Sequence, residues 1–507
     1  MRDLSTIRSC EAVPMAGKTG SDLEDLRALL AEVKALREDV ERRGAALRSG
    51  WGVGADRAKL APRVLNLSHC LALGEHDLTS LEDRLSARGL CSLGRGDSHV
   101  ELALDTLIAT LRRLTGESSA PYPAPAMARA GVAELEAEAD LLFGKRRKGA
   151  RARVMATLPA EAAAAPDFVN NLLNSGMDCA RINCAHDDAE MWGQMIRHVR
   201  AAAARLERPC PVMMDLAGPK CRILRVKAPP KTRLMRGDRL VLIDELREKV
   251  KEPIAFSLNF PELVDQLAVG ADLFIDGGRA AARVVSRGAG RAEIEVYAAR
   301  EKGVRLKPGK AVSFPGTELD LPPLTSKDFR DLDFIAEHAD LIGYSFVQRV
   351  DDIELLQDHL VARAPRRAPP GLVLKIETTL AARNLPSLIL QSAAHNPTAV
   401  MIARGGLGAE LGFMRLAEMQ EEILALSAAA RTPVVWAAQA LDNFVREGVT
   451  SGPRMTDAAV APGADCVMLD AGPYLAEGVA FLRDALVRMD RRRDGKLAPL
   501  ASLKAWA

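Results

Sequence analysis

From about residue 154 to residue 470, short uninterrupted apolar runs alternate with longer stretches in which apolar positions recur every three or four residues. The runs at 154–158, 179–185, 212–217, 341–347, 372–377, 399–404, 434–439 and 466–470 have the length and texture of strands buried on both faces. Stretches such as 187–206, 350–363 and 415–430 carry the helical period instead. Eight strands, all but one step followed by a helix, predict an α/β fold: a (β/α)8 TIM barrel with its helices outside. Such a barrel gathers its chemistry at the C-terminal ends of its strands.

The exception lies between the third and fourth strands. There Gly237-Asp238, Asp276-Gly277-Gly278 and Pro308-Gly309 punctuate short β-type runs at 239–243, 281–285 and 292–297. This texture predicts a small β-domain inserted after strand three, placed as a lid over the strand ends. Upstream, Leu23, Leu26, Leu30, Val33 and Val40 recur at helical steps behind a Ser21-Asp22-Leu23-Glu24 capping pattern, and a helix ending near Gly44 is expected. Further helical patterns follow through Leu78, Leu81 and Leu85, then Val100 to Leu111. The expected layout is an N-terminal helical unit at 1–115, a linker at 116–150, barrel at 151–222, lid at 223–320, barrel at 321–490 and a tail at 491–507. The linker assignment follows Pro121, Pro123 and Pro125 among alanines and serines.

Composition narrows the field. In 507 residues, 69 Lys+Arg stand against 67 Asp+Glu, so no net field points to nucleic acid or an anionic membrane. A helix-turn-helix reading around Arg84, Arg88 and Arg95 is opposed by interleaved acids, and docking is the role expected of the N-terminal unit. Gly17-Lys18-Thr19 is not a phosphate loop, because Ala12 stands where its first glycine belongs and no strand precedes it. Eight cysteines without a C-x-x-C spacing read as reduced thiols rather than a zinc site or disulfide framework. No stretch has the length and apolarity of a membrane span, and a cytoplasmic protein is expected.

The predicted strand ends carry Thr157, Arg181 with Asn183, Asp215, Ser345, Lys375 with Glu377, Arg404, Gln439 and Asp470. Lys375 and Glu377 stand two residues apart, so strand alternation points both side chains the same way. Alone, the pair reads equally as a strand-end salt bridge. In a rim of polar groups it reads as an ammonium to meet developing negative charge and a carboxylate to hold a divalent metal.

The local motifs resemble those of the pyruvate kinase family from about Arg153 to Arg488. Arg181-Ile-Asn183-Cys-Ala185-His186 resembles R-L/I-N-x-S-H, and Asp215-Leu-Ala-Gly218-Pro219-Lys220-Cys-Arg222 resembles D-x-x-G-P-E/K-x-R. Asp276-Gly277-Gly278, Lys310 to Gly316, Leu321 to Asp328, Ser345-Phe346, Lys375-Ile-Glu377 and Met401 to Gly408 follow in the family's order. The resemblance is closest to bacterial forms with an N-terminal helical extension and no C-terminal regulatory domain. It implies phosphoryl transfer between phosphoenolpyruvate and ADP, giving pyruvate and ATP, in a cytoplasmic homo-oligomer. It further implies that Lys375 stabilises the enolate and Arg181 grips the phosphoryl group. Gly405, Arg404 and Ser345 would serve the substrate, with Asn183, His186, Arg222 and Lys310 on the nucleotide side and Glu377 with Asp215 for Mg2+ or Mn2+.

This chain departs from the pattern at its centre. Gly406 replaces the aspartate that is the family's second metal ligand, so a weakened Mg or Mn site is expected. Ala438 replaces a threonine on the proton-delivery side. Gly452-Pro453-Arg454 replaces R-A-E. Ala185 and Leu216 replace hydroxyl residues that ligate potassium, while Lys220 stands in place of a glutamate, so potassium is not expected. Three readings follow: a pyruvate kinase-type enzyme of low rate; a degenerate relative that binds metabolites or partners a true pyruvate kinase; and decarboxylation or aldol chemistry on the same barrel.

Overall fold

The computed structural model describes residues 20–51, 60–90, 93, 97–117, 121–147, 149–150, 152–246, 252–365, 368–437, 441–449 and 463–497 of the chain. Two compact units result: 1–53 with 65–131, and 54–64 with 132–507.

In the first unit, α1 (Gly20–Gly50), α2 (Ala61–Gly74), α3 (Thr79–Ala87) and α4 (Val100–Leu114) succeed one another. Leu29, Val33, Val40, Leu85, Leu104 and Leu111 form their shared core. The stop expected at Gly44 is absent, and α1 runs to Gly50. Gly44 is there for space: a Cβ on it would lie 2.8 Å from the His69 ring, so the missing side chain admits that imidazole rather than ending the helix.

The second unit is built on eight parallel strands. They are β1 (Arg153–Thr157), β2 (Cys179–Asn183), β3 (Val212–Asp215), β11 (Leu341–Tyr344), β12 (Gly371–Ile376), β13 (Thr398–Ile402), β14 (Val434–Ala437) and β15 (Cys466–Leu469). The ring closes in the order β1-β15-β14-β13-β12-β11-β3-β2. Every residue of β12 and β13 is buried, which is why these strands read as unbroken apolar runs. Observed strands stop one to three residues before the expected ends, so Ser345 and Glu377 occupy the first positions beyond β11 and β12.

Residues β4 (Ile223–Lys227), β5 (Arg239–Ile243), β6 (Ala255–Leu258), β7 (Asp272–Ile275), β8 (Ala280–Gly288), β9 (Arg291–Ala299) and β10 (Val312–Ser313) make the inserted domain. It is a mixed sheet in the order β10-β7-β8-β9-β5-β6-β4, with a core of Leu240, Phe256, Ile294 and Val296. The chain re-enters the barrel at α8 (Ser326–His338). Thr325 and Asp328 cap that helix reciprocally, while the other Asp328 oxygen accepts the Gly218 N–H at 3.3 Å, joining the two crossings between barrel and insertion.

One expectation differs sharply. Pro125–Phe143, which lies wholly within the expected linker, is a helix, α5. Proline is tolerated there because the first helical residue needs no N–H partner. Ala139, Leu142 and Phe143 at its end pack into the barrel core with Met155, Cys179, Met213, Leu341, Val373 and Met401. Arg63 ties it down through Glu134 at 2.8 Å and Glu138 at 2.9 Å. Phe143→Ala should therefore lower stability by about 3 kcal/mol, read as a shifted urea midpoint, and a loss below about 1 kcal/mol would contradict the plugging role. The expected tail is also shorter, since the last helix, Leu475–Leu497, extends into it.

Candidate active site

Asp215 ends β3 and is the hub of the rim, with 1% of its surface exposed. Arg181 on β2 donates to its Oδ2 from Nε at 3.0 Å and again from Nη2. Lys375 Nζ donates to the same oxygen at 3.1 Å, to Ser345 Oγ at 2.7 Å, and lies 3.2 Å from Glu377 Oε1. The Ser345 hydroxyl donates to the Leu216 carbonyl at 2.6 Å. Arg181 Nη1 reaches Thr157 Oγ1 at 2.9 Å and Asp470 Oδ1 at 3.4 Å. Six strand ends thus meet in one network, which sequence spacing alone did not specify.

Electrostatics keep this network ionised. Burial pushes the Asp215 carboxyl up, but Lys375 and Arg181 outweigh burial and hold it below the ordinary carboxylate range. Burial pushes Lys375 down, and Asp215 and Glu377 more than reverse it, so its pKa is raised. Neighbouring Lys220 goes the other way: burial lowers its pKa, Glu377 opposes that, and Lys375 adds repulsion.

The acids at the rim divide by their partners. Asp215, expected among the metal ligands, is occupied by two cations and approached by Ser345. Glu377 is 6% exposed, and its Oε1 accepts no hydrogen bond although Lys375 lies beside it. A buried carboxylate oxygen left without a donor fits a cation. Among the described residues no group of three acidic, histidine or cysteine side chains forms a metal cage. Gly406 lies in the first turn of α12 (Arg404–Ala429), where a Cβ would come 3.4 Å from Glu377 Oε2. Glu410, one turn further on, was missed in the sequence. It accepts from the Thr379 N–H at 2.6 Å, and burial together with Glu377 raises its pKa.

The remaining expected residues separate into two groups. Gly405 and Arg404 open α12 at the rim, with the Arg404 guanidinium 5.3 Å from the Trp436 ring centroid. His186, Lys220 and Arg222 line a cleft of about 920 Å³ between barrel and inserted domain, as does Lys327, which sequence reasoning quoted only as part of a motif. Lys327 bonds the Cys184 carbonyl and Asp331 at 2.6 Å each. Asn183 Oδ1 accepts the Ala185 N–H at 3.2 Å and shapes the loop carrying His186. Arg222 bonds the Gly309 carbonyl at 2.8 Å, and Lys310 pairs with Asp276 at 2.8 Å on the inserted domain. Ala438 and Gly452 to Arg454 lie outside the described residues.

A family model described as "Pyruvate kinase, barrel domain" matches residues 150–478. The chain belongs to the pyruvate kinase family. A pyruvate kinase of Agrobacterium vitis is 32% identical over 354 residues, covering 68% of this chain and 70% of that protein. Pyruvate kinase from Geobacillus stearothermophilus is 30% identical over 334 residues, or 64% of this chain and 54% of its own length. The Geobacillus protein is thus matched over little more than half its length. Among solved structures, a pyruvate kinase from Cryptosporidium parvum shares the fold with a TM-score of 0.61 and 23% identity, covering 71% of this chain and 74% of that one. Family membership accounts for the barrel and the insertion after the third strand. Among the described residues, no helix is long and apolar enough to cross a membrane.

Proposed function

We propose that the chain catalyses phosphoryl transfer from phosphoenolpyruvate to ADP at a reduced rate. The observation that carries this reading is the ionised Arg181–Asp215–Lys375–Ser345 network at the strand ends, beside a cleft large enough for a nucleotide. As the phosphoryl–oxygen bond breaks, the substrate keeps the electron pair as an enolate, and an ADP oxygen forms the new bond to phosphorus. Lys375, held as an ammonium, faces the enolate oxygen, and a proton then completes pyruvate. Arg181 has four of its five N–H groups committed to Asp215, Thr157 and Asp470, so its plane is fixed for the transferring phosphoryl. A divalent cation at Glu377 would neutralise phosphoryl and carboxylate charge. The substrate's own oxygens would supply most of its remaining ligands, which makes the site weaker than one with two carboxylates.

By the same resemblance we assign a homo-oligomeric, cytoplasmic protein, the first of which light scattering checks. Lys220 is the partly buried ammonium that would stand in for potassium. Turnover is therefore expected to be the same in sodium and potassium buffers, and strict potassium dependence would remove Lys220 from that role.

The deciding assay couples pyruvate formation to lactate dehydrogenase with phosphoenolpyruvate, ADP and Mn2+. Turnover lost in Lys375→Met supports catalysis at this site. A silent wild type in which Gly406→Asp turns over would favour the second reading, a metabolite-binding relative, for which the glycine beside Glu377 is the specific observation.

A further inference from the structure

At the opposite end of the barrel, Asp178 immediately precedes β2 and is buried with 1% of its surface exposed. Three guanidinium groups converge on it. Arg147 Nε lies 3.4 Å from Oδ1, Arg208 Nη2 bonds the same oxygen, and Arg483 Nη2 bonds Oδ2. The Val154 N–H takes Oδ2 as well, at 2.9 Å. Nearby carboxylates are engaged elsewhere: Asp140 with Arg153 and Asp340 with Arg200. Three positive charges on one negative charge leave an excess of two.

Donors are in excess too. Arg483 gives its Nη2 to Asp178 and to the Gly176 carbonyl at 2.7 Å, while its Nε and Nη1 are buried without an acceptor among the described residues. Gly176 has φ +119°, and a Cβ there would stand 3.2 Å from Arg483 Nε, so a glycine is what lets the guanidinium lie against this loop. Buried donors without acceptors are costly, more so when charged. Arg147 and Arg208 are partly exposed, which leaves the cluster open to solvent on one side.

We propose that Arg147, Arg208 and Arg483 form a binding site for a phosphate-class dianion, distinct from the rim. Guanidinium forks match phosphate oxygens in pairs, and a dianion would cancel the excess charge while supplying acceptors to Arg483. The shared chemistry covers inorganic phosphate and the phosphoryl group of a phosphomonoester. The strands between put it roughly 15 Å or more from Lys375, so a ligand here would not touch the rim.

Calorimetric titration of the full chain at constant ionic strength tests the site, with inorganic phosphate and glycerol phosphate as probes. Arg147→Gln and Arg208→Gln each leave Asp178 two cations and should fold, while weakening the probe about tenfold. Arg181→Gln, at the rim, should leave this binding intact, which separates the site from phosphate held by the candidate active centre. Binding of glycerol phosphate alone would support the site and identify a monoester as its ligand. No binding of either probe to wild type, unchanged affinity in both Gln variants, or loss in Arg181→Gln alone would each overturn the assignment.

Discussion

Lys375→Met should abolish phosphoryl transfer to below about one part in a thousand and destabilise the fold by about 3 kcal/mol. The two losses have one cause. Nζ is within 3.2 Å of Glu377 Oε1, 3.1 Å of Asp215 Oδ2 and 2.7 Å of Ser345 Oγ, in a pocket where Lys375 is 5% exposed. Methionine fills similar volume but leaves Glu377 buried without its cation, whereas Asp215 retains Arg181. Because the folded pKa of Lys375 is raised, its contribution to stability is complete below its unfolded value of about 10.4 and is lost as pH rises through the higher folded value. The difference in stability between wild type and variant should accordingly persist at neutral pH and shrink only in strong alkali. Denaturation at pH 7 and pH 11 measures it. A variant as stable as wild type at pH 7 would mean that the ion cluster is not formed in solution.

Introducing a carboxylate by Gly406→Asp is the second large effect. The residue lies in the first turn of α12, where a negative side chain is favoured by the helix dipole. Its Cβ would sit 3.0 Å from the Glu377 carbonyl oxygen and 3.2 Å from the Glu377 Cβ, so the neighbours must give by a few tenths of an ångström. Without metal, the new charge faces Glu377 and the already raised Glu410, and a stability loss of about 1 kcal/mol is expected. With Mn2+ the sign reverses. Two carboxylates then share one cation, and affinity should rise at least tenfold, visible as a metal-dependent gain in melting temperature and in calorimetry. Turnover should rise with it. Equal Mn2+ affinity in both proteins would place the metal, if any, away from Glu377.

Much of this was present in the linear chain. Strands buried on both faces must be apolar throughout, so β12 and β13 announce themselves as runs, and their helices announce themselves by period. The Lys375–Glu377 spacing needed only strand alternation to bring both groups to one place. Gly44 and Pro125 misled for a related reason: each residue type usually breaks helices, yet the first makes room for His69 and the second stands at a helix start.

What composition and periodicity determined was therefore the architecture, because the spacing of apolar positions that marks a strand or a helix is carried by residues close in sequence. Tertiary structure decided the state of each charge. Asp215 meets Arg181 from 34 positions away and Lys375 from 160, and that company makes it an anchor for cations. Asp178 meets Arg483 across 305 positions. Whether a carboxylate stays free to take a metal or an arginine keeps spare donors depends on which partners folding delivers, and no local pattern records that.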